Sequence, residues 1–97
     1  MATLVIGTPR AEIHTDDRTL AHLHRVIIAK LRRSEAFTFS WDDPGGARRS
    51  VWVSRELPIE FVFDGVERPE INREWLDALE AAASSLSGLS MIPEPSQ

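Results

Sequence analysis

A chain of 97 residues, 42% hydrophobic and 27% charged, has the makeup of one small globular domain, not of a disordered or membrane-embedded protein. It contains no cysteine, which excludes disulfides, thiolate metal sites and a cysteine nucleophile and favours an intracellular, cytoplasmic setting. Its net charge of −4 argues against a general polyanion binder, yet the charge is uneven: residues 1–49 carry eight basic and six acidic side chains, residues 50–97 three and nine.

The opening MATLVIGTPR has no positive leader before its short apolar run, which Gly7 and Pro9 end, so it does not read as a signal peptide. No apolar run approaches the roughly 18 residues of a membrane span, and no membrane association is expected. Thr3–Ile6 and Ala11–His14 read as two strands joined by the turn Gly7-Thr8-Pro9-Arg10. Thr15, Asp16 and Asp17 offer cap oxygens to a helix running from Asp17 to Arg33.

That helix is amphipathic. Leu20, Leu23, Ile27 and Leu31 recur at helical spacing on one face. Arg18, His22, Arg25 and Arg32 fall near the opposite one. Phe37, Phe39 and Trp41 alternate with Thr38 and Ser40 as a half-buried strand. Asp42-Asp43-Pro44-Gly45-Gly46 is a loop. Ser50–Ser54 is a strand with Val51 and Val53 on one face and Trp52 on the other. Ile59, Phe61 and Phe63 mark another, closed by Asp64-Gly65. A second helix spans Asn72–Ser85, capped by Asn72 and apolar along Trp75, Leu79, Ala82 and Leu86. Gly88 fits a helix stop. Leu89–Ile92 adds a short last strand, and residues 93–97 are expected to form a flexible C-terminal tail behind a single domain over residues 1–92.

The order ββ-α-βββ-α-(β) implies an α+β fold with a mainly antiparallel sheet and two helices packed on one face. The first hairpin, helix and following strands resemble a β-grasp arrangement.

The strings DDRTLAHL, KLRRSEAFTFSW, LPIEFVF, INREWLDAL and the closing PEP resemble a small uncharacterised family of actinobacterial proteins of about 100 residues. The likeness covers Leu4 to Pro95. Its members often carry the automatic label "ATP-dependent DNA ligase". A ligase that carries AMP on a lysine has a Lys-x-Asp-Gly motif. Here Lys30 is the only lysine, and Leu31-Arg32-Arg33 follow it. The chain is also too short for a nucleotidyltransferase domain plus an OB-fold. The resemblance implies a lineage without implying that activity.

Guanidinium groups along one helix face could meet successive phosphates, since Arg pairs bidentately with phosphate. Arg18, His22, Arg25, Arg32 and Arg33 form that candidate binding face. Arg48 and Arg49 extend it if their loop folds toward the helix, and Trp52 is the best surface aromatic for stacking or a protein interface. The competing reading of these charges is a solvated face. His22 and His24 lie about 200° apart on a helix, too far to share an ion. Asp42-Asp43 reads as turn chemistry, Gly45-Gly46 lacks the P-loop pattern, and Ser54 has no nucleophile elbow. No catalytic residue, metal or cofactor is therefore assigned. The expectation is a non-enzymatic binding domain that self-associates or meets a protein partner, with a nucleic-acid accessory role as the alternative.

Overall fold

The computed structural model describes residues 1–95. Its elements run β1 (Ala2–Ile6), β2 (Ala11–Thr15), α1 (Asp17–Arg32), β3 (Phe37–Asp42), β4 (Arg48–Val53), β5 (Ile59–Val62), α2 (Arg73–Ala83) and β6 (Leu89–Ser90). This is the α+β order that the sequence implies. The strands, however, divide between two three-stranded sheets, β2-β1-β5 and β4-β3-β6, so no single grasp-like sheet forms. All pairs are antiparallel except β3 with β6.

The division has a cause in β5. Its apolar positions match the buried face of β1, with Ile59 opposite Ile6 and Phe61 opposite Leu4. The Gly7 N–H donates to Pro58 O at 2.9 Å and fixes where β5 begins. β4 stays with β3, placing Val51 and Val53 opposite Phe39 and Phe37.

The helices join the two sheets. α1 packs on β1 and α2, while α2 packs on β3 and β6. Leu20, Leu23, Val26 and Ile27 of α1 are buried with Trp75, Leu76, Leu79 and Ala83 of α2. The buried stripe of α1 is broader than expected and takes in two polar side chains, His22 and Lys30. Among the described residues, no helix is long and apolar enough to cross a membrane.

Local capping sets the helix ends. Asp16 accepts from Thr19 N at 2.7 Å to cap α1. At the other end Glu35 N donates to Lys30 O and Ser34 N to Leu31 O, a Schellman pattern with Ser34 at φ 57° in the usual glycine position. Lys30 lies nearly buried, with Nζ 3.2 Å from Ser84 Oγ and 3.1 Å from Glu35 Oε1. It thus ties the end of α1 to the end of α2.

Gly88 does more than end a helix. α2 is capped at Ser84, and Gly88 stands at φ 81° where the chain turns in beside β3. A Cβ there would collide with Thr38 Oγ1 and come within 2.7 Å of Thr38 O. Only glycine allows both the backbone angle and the approach that seats Leu89 opposite Phe39. Gly88→Ala should destabilise the fold by about 2 kcal/mol or more, since a strained φ and an overpacked contact act together. Urea unfolding checks this; an unchanged midpoint would refute the packing role.

Candidate functional site

The first turns of α1 grip the segment after β5. Asp17 Oδ1 accepts from Asp64 N and Asp17 Oδ2 from Gly65 N, both at 2.9 Å. Those two amides lower the Asp17 carboxyl below its ordinary range. One residue on, Arg18 Nη1 donates to Glu70 O at 2.8 Å. One turn further, His22 Nε2 accepts from Asn72 N at 2.8 Å, while its Nδ1 stands 2.8 Å from Arg18 O. A carbonyl can only accept, so His22 carries its hydrogen on Nδ1. The ring is fully buried and lies 4.3 Å, centroid to centroid, from the Trp75 indole.

The same residues hold the C-terminal segment. Glu94 accepts from Arg18 Nε at 2.9 Å and Arg18 Nη2 at 2.6 Å, a two-pronged pair, and from Asn72 Nδ2 at 2.9 Å. Trp75 Nε1 donates to Ile92 O at 2.8 Å. Asn72 Oδ1 meanwhile caps α2 by accepting from Glu74 N and Trp75 N. The tail expected over residues 93–97 is therefore anchored through Glu94; that expectation for residues 96 and 97 lies outside the described residues.

Held at both ends, the segment 63–71 stands off from the later turns of α1 and leaves a cleft of about 680 Å³. α1 supplies Ala21, Ile28 and Ala29 as apolar floor and Arg25 and Arg32 as rim; Phe63, Val66 and Arg68 come from the opposite wall. Val66 is completely exposed. Among the described residues Arg25, Arg32 and Arg68 make no ion pair. Glu67 is the carboxylate in the lining. His24 sits edge-on to Phe61 at 4.6 Å, and burial, then the charge of Arg25, lowers its pKa.

The sequence-derived binding face is thus split. Arg25 and Arg32 line the cleft. Arg18 is turned away and committed to Glu94 and Glu70. His22 requires correction: it is core, not surface, because the buried stripe widens to include it. Arg33 pairs with Glu35 at 3.2 Å beyond the helix end. Arg48 does not extend the stripe but lines a separate cleft of about 560 Å³ with Ser40, Asp42 and His14. Arg49 faces Asp43 at 3.3 Å. Trp52 is 64% exposed, opposite Thr38 on the outer face of its sheet.

Sequence reasoning missed Arg68, Val66 and Phe63 as a wall, because contacts from Asp17, Arg18, His22 and His24 to residues far along the chain bring that segment to α1. It also missed Glu94, although a carboxylate between two prolines in a stiffened closing segment was a usable signal. Among the described residues no three His, Cys, Asp or Glu side chains gather where they could hold one metal ion.

The site defines a small α+β domain with a cationic, apolar cleft beside one helix. The chain belongs to the family described as "Domain of unknown function (DUF7882)", whose model matches residues 1–94. No curated protein and no solved structure matches it.

The Arg18 guanidinium, then the Asn72 amide, pull the Glu94 carboxyl from its ordinary 4.5 down to about 2. A depressed folded pKa means that the folded state binds this proton less readily than the unfolded one. The attachment is therefore complete above pH 4.5 and lost as pH falls through about 2. The Trp75 indole N–H resonance, which reports the bond to Ile92, should shift across that window in the natural chain and not in Glu94→Gln. Identical titrations of the two proteins would contradict the tie.

Proposed function

We propose that this chain is a non-enzymatic interaction domain whose binding site is the cleft between α1 and residues 63–71, and that it works by protein contact. One observation carries the reading: three arginines that form no ion pair among the described residues ring exposed apolar side chains on a molecule of net charge −4. These three arginines gather on one cleft, and its exposed apolar members Val66 and Phe63 are side chains that a partner would cover. Self-association is one form of such contact, and an intracellular, cytoplasmic setting suits a cysteine-free domain of this kind.

An enzymatic role fits less well. The ligase label would need a presented lysine, but Lys30 is buried and engaged with Glu35 and Ser84. An actinobacterial lineage remains what the resemblance implies. The nucleic-acid alternative is weakened by the commitment of Arg18 to Glu94 and the separation of Arg48 and Arg49 from the helix stripe, which leaves a short footprint.

The anionic, apolar dye 8-anilinonaphthalene-1-sulfonate tests the cleft directly. It should fluoresce with the native chain and lose most of that signal in Arg25→Glu/Arg32→Glu, with near-ultraviolet dichroism unchanged in both. Equal fluorescence in both proteins would remove the cleft as a binding site. Salt-sensitive binding of short DNA, abolished in the same variant, would replace this reading with the nucleic-acid one.

A further inference from the structure

The cleft has a grain. Ala21, Arg25, Ile28 and Arg32 succeed one another at steps of four, three and four, one row along the exposed side of α1. That is the alternation along which a second helix packs. Arg25 and Arg32 are seven residues apart, about 10.5 Å at the usual rise of about 1.5 Å per residue. Carboxylates seven residues apart on a partner helix have the same separation. Phe63 and Val66 form the second wall, so the row is one side of a groove rather than a free surface.

Backbone chemistry selects the shape of the occupant. An extended peptide gains its hold by hydrogen bonding to a free strand edge. Among the described residues no strand lines this groove: β5 ends at Val62, and α1 satisfies its own backbone. A helix brings its backbone bonds with it and can lie against aliphatic walls without leaving amides unpaired. Charge selects its composition, because Arg25, Arg32 and Arg68 outnumber Glu67.

We propose that the groove receives an acidic amphipathic helix of another protein, laid along α1 with its apolar side chains against Ile28 and Val66 and its carboxylates on Arg25 and Arg32. This rests on the reading of the cleft as a protein-binding site. A second copy of this chain is a poorer occupant. Its own exposed acidic helix face, Glu74, Asp77 and Glu80 on α2, has only alanines such as Ala78 and Ala81 as apolar neighbours, shares its first turn with the exposed Arg73, and would leave the groove unfilled.

Three synthetic 18-residue peptides separate the possibilities. The first is a helix with a leucine seam and glutamates at seven-residue spacing. The second replaces those glutamates by lysine. The third keeps the acidic composition but carries two central prolines. With the full chain at low salt, the first should bind at least tenfold more tightly than either other peptide. It should gain helical dichroism on binding, with amide shifts confined to residues 21–32 and 63–71. Arg25→Glu/Arg32→Glu should lose at least tenfold for the first peptide and gain for the second. If the proline peptide binds the same residues equally well, the helical occupant is wrong while the protein-binding cleft stands. If no peptide shifts those amides, but raising the protein concentration does, the occupant is a second copy and the proposal falls. If nothing shifts them, the cleft reading itself falls.

Discussion

A buried imidazole holds two parts of this fold in register. His22 gives one nitrogen to a carbonyl of its own helix and uses the other to accept the Asn72 N–H at the start of α2. An aliphatic side chain at that position would leave the Asn72 amide buried without a partner, at a cost of about 1–3 kcal/mol before any loss of packing on Trp75 is counted. The neighbouring Arg18–Glu94 pair is partly exposed, and water screens it. His22 therefore carries the junction of α1 and α2, whereas Arg18 and Glu94 set where the C-terminal segment lies.

This arrangement divides α1 into two working halves. Its first turns, through Asp17, Arg18 and His22, spend their polar groups on residues 64–72 and on Glu94. Its later turns, through Arg25, Ile28 and Arg32, face a gap that exists because those first turns fix the opposite wall. A helix with a uniformly solvated polar face would have no such gap. The cleft is thus a consequence of how the loop is tethered, and the arginines acquire meaning from the apolar wall brought up beside them.

Much of the fold was legible because it rests on local rules. Alternation in Phe37–Trp41 and Ile59–Phe63, the caps Asp16 and Asn72, and the apolar stripe of α1 each depend on neighbours within a few residues. What could not be read depends on contacts distant in the chain. The pairing of β5 with β1 needs Ile59 matched to Ile6. The burial of His22 needs the amide of Asn72, fifty residues away. A histidine on the polar side of a helical wheel looks like surface until such a partner is placed over it. The candidate site was half legible for the same reason: Arg25 and Arg32 follow from periodicity, whereas Arg68, Val66 and Phe63 join them through the tether and the packing of His24 on Phe63.

His22 bridges α1 and the start of α2 and thereby helps to set the cleft. The most direct measurement is a long-range proton–nitrogen correlation spectrum of the His22 ring at neutral pH. The bridge requires a hydrogen on Nδ1 that exchanges slowly with solvent, and an Nε2 that accepts. A ring with its hydrogen on Nε2, exchanging freely, would contradict the bridge and with it the geometry from which the cleft is argued.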